Sequence, residues 1–291
     1  MTPILMLSLR LGRTFIIMID LIYPRMENVL GDDVKSLAHY LNRVSYIWRH
    51  MKYLIWDFDG TLGYRQGGLW SATLLEILHR EKPEFHATIE QIRPFLQTGF
   101  LWHNPAKPHT EIKSSEQWWD YLDALFEQTF VGIGIVSADA KFLAKQVRNV
   151  YPYPMSWRLF DDVLPTLEQL STRGWTHLIL SNHVPELQQI IRFLKLDRHI
   201  AQLFNSAETG YEKPHPEAFL TLLRTLDDNT ETVWMIGDNM EADILGAEAV
   251  GLSAILVRKF HNQAKYFCET PDQIAEIVST VSTSRIWSSL V

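Results

Sequence analysis

The sequence predicts an α/β fold, in which helices cover both faces of a parallel β-sheet, together with a helical insert. Three observations support this prediction. Residues 51–56 form an apolar run that ends in an acidic, glycine-containing turn, which is typical of a buried strand. Beyond residue 152, short apolar runs alternate with helical patterns, as right-handed crossovers in a parallel sheet require. Between these regions, from about Leu69 to about Tyr151, the spacing is helical.

Length and composition favour a globular protein of one or two domains. The chain has 291 residues, of which 46% are hydrophobic and 12% aromatic, enough for a sizeable core. With 27 Lys and Arg against 34 Asp and Glu, the net charge is -7, so there is no basic excess to recruit nucleic acid or a membrane surface. The single cysteine, Cys268, excludes an internal disulfide and favours a reducing, cytoplasmic location.

Residues 1–50 are predicted to be an N-terminal extension. Arg10, Arg13 and Asp20 interrupt its apolar patches, so no run reaches the roughly 20 residues that a membrane span requires. No small residues mark a signal-peptide cleavage site. We expect the extension to be poorly ordered or to lie upstream of the true start, rather than to form an appended helical segment.

The elements follow in order. After the first strand, four helical segments fill the insert, at residues 69–83, 87–99, 114–130 and 139–151. In the second part of the chain, helices are predicted at residues 162–174, 184–196, 215–226 and 241–251, and apolar strands at 176–182, 202–208, 232–237 and 253–257. The predicted domains are therefore a core of residues 51–68 and 152–291 and a helical insert of residues 69–151.

Polar residues gather where the predicted strands end, and ligands bind at the carboxyl ends of such strands. They are Asp57, Asp59, Ser181, Asn182, Asp238, Asn239 and Asp243, with Lys213 before a helix. Mg²⁺ prefers oxygen ligands, and Asp57 and Asp238 are the natural pair. Lys213 and the cation would neutralise charge so that a carboxylate can attack phosphorus, Ser181 would hold phosphate oxygens, and Asp59 would protonate the leaving group.

Four motifs in order resemble those of the haloacid dehalogenase (HAD) superfamily, specifically its phosphatases with a helical cap after the first motif. They are "DFDGTL", "LILSN", "GYEKPHPEAF" and "MIGDNMEADILGA". "DFDGT" alone could be an acidic turn after a strand, but four motifs in one order favour the functional interpretation. The resemblance covers about residues 51–257. It implies a Rossmann-like core, with the insert of residues 69–151 as a mobile cap.

The resemblance also implies a role for each matching residue. Asp57 would be the nucleophile and a Mg²⁺ ligand, Asp59 the acid/base and a ligand through its carbonyl, and Asp238 a further ligand. The predicted phosphate-binding residues are Thr61, Ser181, Asn182 and Lys213. Asn239 and Asp243 would orient bound water or Lys213.

The predicted activity is Mg²⁺-dependent hydrolysis of a small phosphorylated metabolite through an aspartyl-phosphate. A phosphomutase of the same superfamily, or a non-catalytic binding or regulatory protein on this scaffold, are the alternatives. Asp59 argues against a dehalogenase, because a halide leaving group needs no acid.

Several further residues carry expectations of their own. His215, where many relatives have aspartate, would change only helix capping. His183 is expected at a helix start or on the surface, with the alternative, implied by the resemblance, that it faces the cap and contacts substrate. Arg65 could pair a second anionic group of the substrate, although a solvated loop is the more ordinary expectation. The insert tryptophans are expected to pack internally, with the alternative that one of them lines a substrate pocket; they are Trp70, Trp102, Trp118 and Trp119.

Overall fold

The structure is a computed structural model that describes residues 51–227 and 229–280. The prediction for residues 1–50 lies outside the described residues, as does the end of the chain from residue 281. None of the helices in the described part of the chain is long and apolar enough to cross a membrane.

A six-stranded sheet forms the core, in the order β5-β4-β1-β6-β7-β8. The strands are β1 (Met51–Trp56), β4 (Trp175–Ser181), β5 (Ile200–Asn205), β6 (Thr230–Gly237), β7 (Ser253–Val257) and β8 (Phe267–Cys268). The pairs β1/β4, β4/β5, β6/β7 and β7/β8 run parallel. The predicted parallel sheet is confirmed, and the six strands include each of the five predicted ones.

Two short strands, one before and one after the helical insert, form a small antiparallel sheet. It consists of β2 (Gly63–Arg65) paired with β3 (Trp157–Leu159). Three-residue strands are too short for periodicity to reveal, so the sequence analysis missed this sheet. Its pairing brings together the two chain segments that lead into and out of the insert.

The insert contains four α-helices: α1 (Trp70–Glu81), α2 (Ile89–Ile92), α3 (Ser115–Gly132) and α4 (Ser137–Val150). Short 3₁₀ turns lie between α2 and α3, at Arg93–Leu96 and Leu101–His103. The Ser114 hydroxyl caps α3 by accepting a hydrogen bond from the main-chain amide of Gln117 at 3.2 Å. The apolar faces of α1, α3 and α4 are buried and contribute Ile77, Leu122, Phe126, Leu143 and Val147 to the hydrophobic core.

The remaining helices alternate with the core strands as predicted. They are α5 (Val163–Thr172), α6 (Leu187–Phe193), α7 (Ser206–Thr209), α8 (Pro216–Leu223), α9 (Gly246–Ala249) and α10 (Ile274–Thr280). A π-helical turn, Met240–Leu245, leads into α9. The ring of His215 caps α8, its Nδ1 accepting from the amide of Glu217 at 3.1 Å, which confirms the expected capping role.

Arg65 differs from the expectation of a solvated loop. It lies in β2, is only 4% exposed, and donates to Glu76 Oε2 (2.9 Å) and to the main-chain carbonyls of Gly68 (3.0 Å) and Tyr151 (3.3 Å). The guanidinium presents donors in several directions, so one side chain can bind both ends of the insert. Arg65 therefore has a structural role at the base of the insert.

Candidate active site

The polar residues predicted at the strand ends lie together at one edge of the sheet. Asp57 directly follows β1, Ser181 ends β4, and Asp238 directly follows β6. Lys213, in the loop before α8, reaches the same place. The parallel α/β connectivity brings these four segments together although they are far apart in sequence.

Asp57 is held by a hydroxyl and a cation. Its Oδ1 accepts hydrogen bonds from Ser181 Oγ at 3.0 Å and from Lys213 Nζ at 2.8 Å. Lys213 Nζ also lies 2.5 Å from Asp243 Oδ1, so two carboxylates share one buried ammonium. Burial by itself lowers the pKa of Lys213, but the charges of Asp243 and Asp57 outweigh it and hold that pKa above its usual range. Lys213 is therefore a permanent cation beside Asp57.

Two asparagines fix the main chain around this network. The side-chain amide of Asn182 donates to the Lys213 carbonyl (2.9 Å) and accepts from the Lys213 amide (2.8 Å). The main-chain amide of Asn239 donates to Asp243 Oδ2 at 3.0 Å, and its side chain caps the following helical turn. Asn182 and Asn239 thus position Lys213 and Asp243.

Asp59 lies in a different electrostatic environment from Asp57. Its pKa is raised to about 8, first by desolvation and then by the negative charges of Asp57 and Asp238, with Lys259 opposing. A carboxyl group with this pKa carries a proton at neutral pH. The two motif aspartates, two residues apart, therefore favour different chemistry.

Two glycines allow the acids to approach so closely. Gly60 has φ +85°, and a Cβ there would lie 2.3 Å from Asp238 Oδ2. A Cβ on Gly237 would lie 2.1 Å from Asp243 Oδ2. A side chain at either position would displace a carboxylate, so the site requires both Gly60 and Gly237.

Carboxylate oxygens suited to a hard cation are grouped here. Within the described residues, Asp57, Asp238 and Asp243 offer oxygens that lie within 4.8 Å of one another. Both oxygens of Asp243 accept hydrogen bonds, from Lys213 and from the Asn239 amide. Lys213 and Lys259, by contrast, bind one oxygen each of Asp57 and Asp238, which leaves their other oxygens for a metal. The donor chemistry fits Mg²⁺, and the predicted contribution of Asp59 through its main-chain carbonyl stays a prediction.

Lys259 is a residue of this site that the sequence analysis missed. Its Nζ forms a short ion pair with Asp238 Oδ2, while most of the side chain is exposed. It lies two residues after the end of β7, and a lysine that follows a predicted strand was the signal available in the sequence. It belongs to none of the four motifs, and lysines after strands are common.

Thr61 is placed differently from the other predicted phosphate-binding residues. It is fully buried and is not among the residues that line the cavity above Asp57. Its main-chain carbonyl accepts from Arg258 Nε at 2.9 Å. A contact between Thr61 and phosphate stays a prediction.

A cavity of about 780 Å³ lies above these residues. Asp57, Asp59, Lys213 and Asp238 line its sheet side, and residues of the helical insert line the other side. The cavity volume is in the range of small-molecule sites, which are about 300–1,000 Å³. A charged floor under a cavity is an arrangement that can hold a phosphorylated molecule and react with it.

His183 also lines this cavity, which agrees with the alternative that it faces the cap and not with a surface position. It is 3% exposed, and its ring lies 5.0 Å from that of Trp157 and 5.6 Å from that of Phe58. Desolvation lowers its pKa to about 4, so it is neutral at pH 7. The pairing of insert and sheet buries it, which no local pattern reveals.

A family model described as haloacid dehalogenase-like hydrolase matches residues 51–251, more than half of the chain. The match begins at β1 and includes all four motifs and the insert.

The curated relatives that match share part of their length with this chain. Haloacid dehalogenase-like hydrolase domain-containing protein 3 of Homo sapiens is 32% identical over 145 residues, which are 50% of this chain and 57% of that protein. Ribulose-1,5-bisphosphate 5-phosphatase of Halopiger xanaduensis is 37% identical over a region that covers 40% of this chain and 49% of that protein. Phosphoserine phosphatase of Thermus thermophilus is 28% identical over a region that covers 62% of this chain and 71% of that protein. The chain thus spans about half the length of the first two.

Solved structures share the fold at low sequence identity. The HAD-hydrolase YfnB from Bacillus subtilis, bound to magnesium, superposes with a TM-score of 0.59 at 18% identity, covering 79% of this chain and 99% of that one. A 2-haloacid dehalogenase from Pseudomonas syringae gives a TM-score of 0.55 at 21% identity, with coverage of 79% and 99%. Both are similarities of fold.

Proposed function

Since this chain belongs to the haloacid dehalogenase-like hydrolase family, we propose that it hydrolyses a small phosphomonoester, with Asp57 as the nucleophile. The observation that carries the proposal is the position of Asp57. Its carboxylate lies in the charged floor of the cavity, between the Ser181 hydroxyl and the Lys213 ammonium. Relatives named as phosphatases of ribulose-1,5-bisphosphate and of phosphoserine support this reaction class.

In the first step, an Asp57 oxygen attacks phosphorus while the bond from phosphorus to the leaving oxygen breaks. Asp59, which also lines the cavity, gives its proton to that oxygen. Lys213 and Ser181 stabilise the charge on the remaining phosphate oxygens. The products of this step are the free alcohol and an aspartyl-phosphate.

In the second step, water attacks phosphorus of the aspartyl-phosphate. Asp59 takes a proton from that water, the bond between phosphorus and the Asp57 oxygen breaks, and inorganic phosphate leaves. Asp59 is thereby restored to its protonated form. One residue serves both steps because it acts first as acid and then as base.

The carboxylates of Asp57 and Asp238 and the main-chain carbonyl of Asp59 would hold Mg²⁺. When bound, the ion supplies positive charge that offsets repulsion between the nucleophile and the phosphate oxygens. Asp243 and Asn239 hold Lys213 and the loop after β6 in place. We assign the helical insert, residues 69–151, the role of a cap that covers the substrate, because its residues form the side of the cavity that faces the acids.

The test is phosphate release by the full chain from a panel of small phosphomonoesters and acetyl phosphate, with Mg²⁺ and with EDTA. We expect release only with Mg²⁺, and a loss of at least about 1,000-fold in Asp57→Asn, because the nucleophile is gone. Asp197→Asn is the matched control, because Asp197 is exposed and outside the cavity.

Circular dichroism and thermal denaturation establish that each variant is folded. If the folded wild-type protein and Asp57→Asn release phosphate equally, the proposed nucleophile is wrong. If phosphate is moved between positions of one substrate without being released, the phosphomutase alternative takes its place.

A further inference from the structure

Several aromatic rings line the insert side of the cavity. Four of them come from the insert and its C-terminal junction: Trp70, Phe100, Trp102 and Tyr151. We call these four residues the aromatic wall. Trp70 and Trp102 confirm the alternative that an insert tryptophan lines a pocket, whereas Phe100 and Tyr151 carried no sequence signal.

Ring stacking holds the aromatic wall together. The rings of Trp70 and Tyr151 lie parallel with centroids 3.7 Å apart and an interplanar angle of 4°. Those of Phe100 and Trp102 lie 4.5 Å apart at 12°. Phe126 packs against Trp70 at 5.6 Å. Each ring is therefore fixed by a neighbour, and the wall is formed before a ligand arrives.

The two indoles offer the contact surface. Phe100 and Tyr151 are buried, whereas Trp70 and Trp102 are partly exposed in the structure. Trp102 is stacked on Phe100 on one side, so its exposed surface is available to a ligand in the cavity. A flat apolar surface of this kind favours a planar ring over a polyhydroxyl chain, which would lose hydrogen bonds to water there.

The acids of the cavity lie on its sheet side, and Arg93 is on the insert side. Among the lining residues, all of which lie in the described ranges, Arg93 and Lys213 are the lysines and arginines. Lys213 is already paired with Asp57 and Asp243, and Arg93 is exposed. A second phosphate or carboxylate of a ligand would therefore find one exposed cation, whereas a ring would find the aromatic wall.

We propose that the substrate is a phosphomonoester whose alcohol carries a planar aromatic ring, of the nucleoside monophosphate class, with the ring on Trp102 and the phosphate at Asp57. This inference rests on the phosphatase function proposed above. The cavity volume of about 780 Å³ accommodates such a molecule, in which a ribose separates the phosphate from the ring.

The experiment compares adenosine 5′-monophosphate with ribose 5-phosphate, which carries a hydroxyl at C1 where the nucleotide carries its base. We expect kcat/KM for the nucleotide to be at least about 10-fold higher, since stacking of one base on an aromatic side chain accounts for about that factor. Trp102→Ala should lower the nucleotide value about 10-fold, mainly by raising KM, and should leave ribose 5-phosphate within about 2-fold. Trp102→Phe should restore most of the preference.

Phe142→Ala is the matched control, because Phe142 is an exposed aromatic residue of α4 outside the cavity. Calorimetric titration of Asp57→Asn with both ligands gives a readout independent of turnover, and the nucleotide should bind about 10-fold more tightly. Equal kcat/KM and equal affinity for the two ligands in the wild-type comparison would overturn the inference, whatever the folding of the Trp102 variants.

Acetyl phosphate separates the two levels of failure. If the protein hydrolyses acetyl phosphate and ribose 5-phosphate with no preference for the nucleotide, the phosphatase function stands and the aromatic substrate class is wrong. If the folded protein with Mg²⁺ leaves acetyl phosphate intact as well, the phosphatase function fails and this inference fails with it.

Discussion

At the scale of single residues, the contrast between Asp57 and Asp59 is created by their surroundings. Asp57 accepts hydrogen bonds from a lysine and a serine, whereas the pKa of Asp59 is raised to about 8 by desolvation and by Asp57 and Asp238. A residue that attacks phosphorus must be ionised, and one that donates a proton must be protonated. The surroundings of the two side chains thus match the two proposed roles.

Asp59→Asn separates proton transfer from nucleophilic attack. For an alkyl phosphate, the variant should lose about 100- to 10,000-fold in kcat, because the leaving alkoxide is no longer protonated. For acetyl phosphate, whose leaving group needs little protonation, formation of the aspartyl-phosphate should be nearly normal. Single-turnover kinetics with ³²P-labelled acetyl phosphate should then detect a phosphoenzyme that accumulates.

The leaving-group dependence is the decisive feature of this prediction. If Asp59→Asn slows formation of the aspartyl-phosphate by the same factor with an alkyl phosphate and with acetyl phosphate, Asp59 is not the acid. Asp57→Asn in the same assay should form no phosphoenzyme with either compound.

At the scale of elements, His177 joins three of them. It lies in β4, and its Nδ1 accepts from the indole of Trp56 in β1 at 3.1 Å. Its Nε2 lies 3.0 Å from the Leu167 carbonyl and 3.1 Å from Ser171 Oγ, both in α5. Since Nδ1 is an acceptor, the ring is the neutral tautomer with the proton on Nε2.

Acid should therefore weaken this connection. Desolvation lowers the pKa of His177 to about 4, below the unfolded value of about 6.5, so the unfolded chain binds the proton more readily. The stabilising contribution is complete above pH 6.5 and is lost as the pH falls towards 4. Between pH 7 and pH 5 we expect His177 to account for about 2 kcal/mol of lost unfolding free energy, measured by urea denaturation.

In His177→Gln, the side-chain amide can still accept from the Trp56 indole and donate to the Leu167 carbonyl, but it does not titrate. Between pH 7 and pH 5, the unfolding free energy of this variant should therefore fall by about 2 kcal/mol less than that of the wild type. His79→Gln, at an exposed histidine of α1, is the control and should follow the wild type. The same pH dependence in all three proteins would contradict the assignment to His177.

At the scale of the whole molecule, the insert contacts the core beyond its two chain connections. His109, in the segment before α3, lies 3.0 Å through its Nε2 from Glu212 Oε1, and both side chains are buried. Glu212 is the neighbour of Lys213 in the chain. A second contact joins the Trp119 indole of α3 to Glu186 Oε1 at 3.0 Å.

Removal of His109 should destabilise the protein. In His109→Phe, the carboxylate of Glu212 stays buried without its partner, and we expect the unfolding free energy to fall by about 3 kcal/mol. Glu212→Gln is the matched control, because an amide can still hydrogen-bond to His109 and should lose only about 1 kcal/mol. Urea denaturation at pH 7 measures both, and an unchanged unfolding free energy in His109→Phe would mean that the pair contributes nothing.

Much of the fold and of the chemical centre could be predicted from the sequence, because both depend on local patterns. Asp57, Ser181, Lys213 and Asp238 follow apolar runs or precede a helix, and parallel strands place such ends at one edge. The roles of the site residues stay predictions until the variants are measured. Sequence patterns could not predict the strands β2 and β3, which have only three residues each, or the buried position of Arg65.

The sequence by itself determined five strands of the parallel sheet with the main helices between them, the insert and the acidic centre, since periodicity and short motifs act over neighbouring residues. Tertiary structure alone decided which other side chains surround the acids. His183, Lys259 and the aromatic wall belong to segments far apart in the chain, and each is an ordinary core or surface residue in its local sequence. The positions of His183 and the aromatic wall depend on packing between the insert and the sheet, and that of Lys259 depends on the course of the chain after β7. No short stretch of sequence encodes either.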